Sequence, residues 1–124
     1  MSHTLDNHSS PIPLTFSRAV RAGEWLLLSG HIPLDEQRRP LRGDIHAQTR
    51  NVMDSVGVTL VEFGSSWKDV VKVTVWLQNM EELDDFNRIY RTYFEEFLPV
   101  RSLVQARLAY DVGVEVEVQA WQAK

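Results

Sequence analysis

The chain has 124 residues, 13 basic and 17 acidic, and a formal charge of −4; that length suits one domain with one core, and the charge argues against a binder drawn to nucleic-acid phosphates or an anionic membrane. There is no Cys, so disulfides, thiol nucleophiles, Cys-ligated zinc and iron–sulfur clusters are excluded. No apolar run approaches the roughly 18 residues of a membrane span, and MSHTLDNHSSPIP at the N-terminus lacks the basic and apolar regions of a signal peptide, so the expected compartment is the cytoplasm.

Residues 1–13 read as a mobile polar tail, and residues 14–124 as a single continuous domain. Leu14 to Ala22 and Glu24 to His31 read as two strands, with a turn at Arg21-Ala22-Gly23. Pro33 to Gly43 is a polar loop. Asp44 can cap a helix. Ile45, Thr49, Val52, Met53, Val56, Leu60 and Phe63 then follow at helical spacing, and Gly64 sits where a left-handed residue would stop the helix.

Asp69 to Gln78 reads as a strand whose Val71, Val73, Val75 and Leu77 alternate with Lys72, Thr74, Trp76 and Gln78. Asn79, with Glu82 three residues on, predicts a capping box and a second helix reaching Phe97. That segment carries six acids and two bases, a net −4 that equals the excess of the whole chain. It reads as a solvated acidic face, with Glu81, Glu82, Asp84 and Asp85 favoured at the positive end of the helix dipole. Arg101 to Leu108 and Val114 to Trp121 are the last two strands. The order ββαβαββ predicts an α+β sandwich with both helices on one face of one sheet.

Alternation sorts the strand residues onto two faces. Leu26, Leu28, Val71, Val73, Val75, Leu77, Val104, Leu108, Val114, Val116 and Val118 make a face that the helices can cover. Trp25, Leu27, Ser29, Lys72, Thr74, Trp76, Arg101, Leu103, Arg107, Glu115, Glu117 and Trp121 fall on the other, for which no helix remains. Three Trp and two Leu open to water predict an interface between copies of the chain. Arg101, Arg107, Glu115 and Glu117 then either pair with one another or await a charged ligand. In the second case an Arg fork takes a carboxylate, and a nearby Glu holds a water or moves a proton.

The run Leu28-Ser-Gly-His-Ile-Pro-Leu34, then Gly43-Asp-Ile-His-Ala-Gln-Thr-Arg50, resembles the RidA/YjgF/UK114 family. So do Asp69-Val-Val-Lys-Val-Thr-Val75, the trio Phe86, Asn87 and Tyr90, Pro99-Val-Arg-Ser102, and Val114-Glu-Val-Glu117. The resemblance spans about residues 14–122. It implies a chorismate mutase-like fold of the Bacillus type, with a mixed sheet of about six strands, and a homotrimer around a central β-barrel with a ligand cleft at each subunit interface. It also implies hydrolysis of reactive enamines and imines such as 2-aminoacrylate to 2-keto acids and ammonia, with no cofactor. Alternatives within the same fold are a small-carboxylate binder without turnover and, ranked lower, an endoribonuclease.

Carried over by resemblance, Arg101 is the clamp for the substrate carboxylate and Glu115 the group that positions or activates water. Ser29, Gly30 and Asn87 line the cleft. Phe16 and Leu103 stand where the family often has Tyr and Cys, and the stretch from Arg101 to Arg107 is one residue shorter, which opens the choice between Glu115 and Glu117. His3, His8, His31 and His46 show no ligand spacing, so no metal is expected. Trp67 and the Tyr90, Tyr93, Phe94 cluster read as packing residues. The expected partners are a small carboxylate-bearing imine or keto acid and further copies of the chain, with no nucleic acid and no membrane.

Overall fold

The computed structural model describes residues 15–123. The expected tail, and Leu14 and Lys124 of the expected domain, lie outside the described residues. Strand β1 (Ala19–Ala22) turns into β2 (Trp25–Leu28) through Gly23, whose φ of 61° is one that favours glycine. Helix α1 (Ile45–Glu62) starts at Asp44, whose carboxylate accepts from the Ala47 N–H at 2.9 Å, and Gly64 follows it with φ 80°. After a 3-10 turn at Trp67–Asp69 come β3 (Val70–Leu77), a second 3-10 turn at Met80–Glu82 and α2 (Leu83–Arg91). Then follow β4 (Val100–Gln105) and β5 (Val114–Trp121).

The element order is the one the sequence predicts. The sheet order is β1-β2-β5-β3-β4, antiparallel except for the parallel pair β3–β4. Five strands form among the described residues, against about six expected. The stretch from Ser29 to Pro40, which turns between Asp35 and Arg39, makes only single bridges, His31 to Val116 and Leu34 to Pro40. Pro33 and Pro40 have no N–H to extend a ladder there.

The core lies between the helices and one sheet face. Val52, Met53, Val56 and Leu60 of α1 meet Val73, Val75 and Leu77 of β3 and Val114, Val116 and Val118 of β5, all buried. Each such side chain contributes about 1.5–3 kcal/mol relative to exposure. Val71 is a correction. A bulge between Val70 and Lys72 adds one residue to β3, so Val70 takes the core position and Val71 is only half-buried.

The second helix is shorter than expected. It ends at Arg91, and Thr92, Tyr93 and Phe94 continue with N–H bonds to carbonyls three residues back. The aromatic stripe nonetheless runs on, because Phe94 meets Trp67 edge-on at 5.1 Å between ring centres and Tyr90 at 4.9 Å. Asn79 caps the Glu81 N–H rather than making the expected reciprocal box with Glu82.

The opposite sheet face is bare among the described residues. Trp25 and Trp121, paired across β2 and β5, are each 42% exposed, and Leu27 and Val104 are also open. Trp76, Glu115, Glu117, Thr74 and Lys72 share that face.

Candidate active site

Strand β4 forms the edge beside β3, and its register decides where the expected site residues point. Arg101 pairs with Val73, Leu103 with Val75 and Gln105 with Leu77. Neighbours in a parallel pair share a face, and these three partners face the core. Arg101 and Leu103 therefore lie on the helix side, not on the bare face where alternation alone had put them. Val104 moves the other way, out of the expected core and onto the bare face beside Trp76. Arg107 lies beyond β4, exposed and outside any strand. The cause is local to β4. Alternation groups 101, 103 and 105 together, but only pairing with β3 says which side that group takes.

On the helix side Arg101 has a prepared seat. Its guanidinium lies over the Tyr90 ring, 4.9 Å from the ring centre, and 5.9 Å from that of Phe86. Nη1 donates to Asn87 Oδ1 at 2.8 Å. Phe86, Asn87 and Tyr90 come from consecutive turns of α2, so one helix face supplies two rings and an amide. Arg101 makes no ion pair with any carboxylate among the described residues. Tyr90 is buried, and burial pushes its phenol up to about 12 against the opposing pull of Arg101, so it stays neutral at pH 7. Leu103 is half-buried against the core behind Arg101.

On the bare face, Glu115 pairs across the sheet with Trp76. Its carboxyl lies against Gly30: a Cβ built on Gly30 would collide with Oε2 and come within 3.1 Å of Cδ. Only glycine leaves room for the carboxylate there. Burial, and then the like charge of Glu117 on the same face, hold the Glu115 carboxyl above the ordinary carboxylate range. Ser29 Oγ donates to the Ser17 carbonyl at 2.7 Å and its N–H to the Arg18 carbonyl at 3.0 Å. Phe16, one residue before Ser17, is 56% exposed.

The expected residues therefore form two groups in one copy of the chain. Arg101, Asn87 and Leu103 are on the helix side at the β4 edge. Glu115, Gly30 and Ser29 are grouped around the end of β2. β3 lies between β4 and β5, which puts the two strand axes about 10 Å apart at ordinary strand spacing, with Arg101 and Glu115 on opposite faces. One small ligand cannot touch both within a single chain. The expected network among Arg101, Arg107, Glu115 and Glu117 does not form. Phe86 and Tyr90, which the sequence marks as motif and packing residues, also form the seat of Arg101; the signal for that role is the helical spacing of aromatics around Asn87.

The family model described as Endoribonuclease L-PSP matches residues 9–122. The chain is 36% identical to a RutC family protein of Pyrococcus horikoshii over 98% of this chain and 99% of that protein. It is 30% identical to the 2-iminobutanoate/2-iminopropanoate deaminase of Escherichia coli, over 97% of this chain and 98% of the other. Among solved structures, yeast Mmf1 aligns with a TM-score of 0.85 at 32% identity, covering 91% of each chain. E. coli TdcF with bound serine aligns with a TM-score of 0.82 at 30% identity, covering 87% of this chain and 88% of that one.

Proposed function

Because the chain belongs to the RidA/YjgF/UK114 family, we propose that it hydrolyses reactive enamines and imines of small 2-amino acids to 2-keto acids and ammonia. The observation that carries this reading is an Arg101 guanidinium seated on two rings and one amide, with no carboxylate partner among the described residues. Such a fork is prepared for an external carboxylate in a two-point grip. The serine in TdcF, itself a small 2-amino acid, and the imine deaminase name of the E. coli relative support the same ligand class.

The opposite faces of Arg101 and Glu115 support a site built between copies, Arg101 from one and Glu115 from another. The bare, Trp-bearing face supplies an apolar surface for that contact. The assembly is the homotrimer that the resemblance implies.

The chemistry needs little beyond orientation. An enamine takes a proton on carbon and gives one up from nitrogen, becoming the imine. Water then adds to the C=N carbon, losing a proton to the Glu115 carboxylate, and the nitrogen gains a proton to give a carbinolamine. In the collapse the hydroxyl proton passes to nitrogen as the C–N bond breaks, which leaves C=O and releases ammonia. A carboxyl raised by burial and by Glu117 holds an abstracted proton more firmly than an ordinary carboxylate, which suits its part as the base. Arg101 holds the substrate carboxylate throughout and keeps the imine carbon in line with the water.

The test adds the protein to a dehydratase that generates 2-aminoacrylate and follows keto-acid formation with a coupled dehydrogenase. Acceleration that Arg101→Ala abolishes supports the proposal; a folded oligomer giving no acceleration over buffer refutes it. Carboxylate binding without turnover, by calorimetry with pyruvate, would favour the scavenger reading instead. Ribonuclease action, the activity in the family's description, is disfavoured by the net charge of −4.

A further inference from the structure

The end of β2 holds a device that the proposed chemistry does not by itself require. Trp25 pairs with Trp121, Leu26 with Ala120 and Leu27 with Gln119. Continued unbroken, that register would set Gly30 opposite Val116. Instead His31 bridges Val116, with N–H to carbonyl bonds of 2.7 and 3.0 Å in both directions. One residue in Ser29–Gly30 is therefore extra, a β-bulge. The extra residue re-aims both neighbours. Gly30 lies against the Glu115 carboxyl on the bare face, and the His31 side chain turns to the helix side, like its partner Val116.

There the His31 imidazole bridges two elements. Nδ1 lies 2.8 Å from the Ser29 carbonyl, and Nε2 lies 2.9 Å from Thr59 Oγ1 on α1. A carbonyl only accepts, so Nδ1 carries a proton; Nε2 meets a hydroxyl whose one proton also has the Ser55 carbonyl within reach, at 3.2 Å. That hydroxyl also accepts from Arg18 Nη2 at 3.2 Å, and Arg18 pairs with Glu62 of α1 at 3.0 Å. The bulge is thus tied through one ring to the longest helix of the fold.

We infer that His31 is a positioning residue: by fastening the Ser29–Gly30 bulge to Thr59, it fixes the backbone wall against which the Glu115 carboxylate lies. The inference rests on the proposed role of Glu115. A neutral ring suits this task, and burial holds His31 below its ordinary range; the Ser29 carbonyl opposes that, Arg18 adds to it and Glu62 opposes it.

The test compares His31→Leu, His31→Gln and Thr59→Val with wild type. The imine-hydrolysis assay gives kcat and KM, and carboxyl carbon NMR follows the titration of Glu115. His31→Leu is expected to lower kcat by about tenfold or more, with KM within about threefold because Arg101 is untouched, and to move the Glu115 titration toward an ordinary carboxylate. His31→Gln, which can donate and accept at similar points, should restore both. Thr59→Val should shift both in the same direction as His31→Leu but less, and it carries the test if the Leu variant does not fold. Wild-type kcat and an unmoved Glu115 titration in His31→Leu or Thr59→Val would overturn the inference. Arg101→Ala serves as the control for activity lost at the substrate clamp rather than at the bulge. If wild type shows no hydrolysis, the proposed function falls while the titration still decides the role of His31.

Discussion

Replacing Arg101 by Ala separates ligand binding from folding, and the structure sets both magnitudes. A guanidinium has five N–H donors, of which one meets Asn87 Oδ1 at 2.8 Å. The rest are available for two charge-assisted bonds to a carboxylate, each contributing about 1.5–3 kcal/mol. Their joint loss of about 3 kcal/mol or more weakens carboxylate binding by at least about a hundredfold. On the folding side Arg101 is exposed, so its removal costs one hydrogen bond and a cation–π contact, together about 2 kcal/mol at most. That corresponds to a fall of a few degrees in Tm. Arg101→Lys keeps the charge and loses the fork, so it should lie between, with binding about tenfold weaker. Calorimetry with pyruvate and thermal unfolding on the same preparations measure the two terms. Binding of Arg101→Ala within threefold of wild type would refute the reasoning, as would weakened binding that merely follows a collapse in Tm.

Asn87→Asp sets a carboxylate where an amide oxygen now lies 2.8 Å from Nη1, and so gives Arg101 an internal partner; carboxylate affinity should fall about tenfold, further than in Asn87→Ala, with Tm changed little because an exposed pair adds only about 0–1 kcal/mol. Gly30→Ala forces the Glu115 carboxyl away from its seat, yet Gly30 is not among the residues of positive φ; steady-state kinetics should show a reduced kcat and calorimetry a nearly unchanged Tm. Glu115 binds its proton more tightly folded than unfolded, because burial and Glu117 raise its carboxyl. Its contribution to stability is therefore present below the unfolded value of about 4.5 and is lost as pH rises through the higher folded value. Glu115→Gln should accordingly raise Tm relative to wild type at pH 7.5, and give a smaller gain at pH 4, while lowering kcat; an equal effect at both pH values would count against the raised carboxyl.

Much of the fold follows from local pattern. Asp44 and Gly64 mark the ends of α1 because a side-chain cap and a left-handed residue are local chemistry, legible without any partner. The bounds of β5, Val114–Trp121, coincide with those expected, because strict alternation of Val with Glu and Gln survives in a central strand buried on one face. The aromatic row of α2 is also legible, although its α-helical part stops at Arg91 and leaves Tyr93 and Phe94 to pack from a turn.

The sequence by itself determined the family and the element order, and it singled out Arg101 and Glu115 as candidate site residues. Only the tertiary structure decided that these two face opposite ways. Period-two alternation groups side chains but carries no absolute sign; that sign comes from pairing. The parallel register of β4 on β3 turns Arg101 toward Phe86, Asn87 and Tyr90. The extra residue at Ser29–Gly30 likewise turns His31 inward and sets Gly30 against Glu115, through a hydrogen-bond partner 85 residues further along the chain at Val116, a distance no local pattern spans.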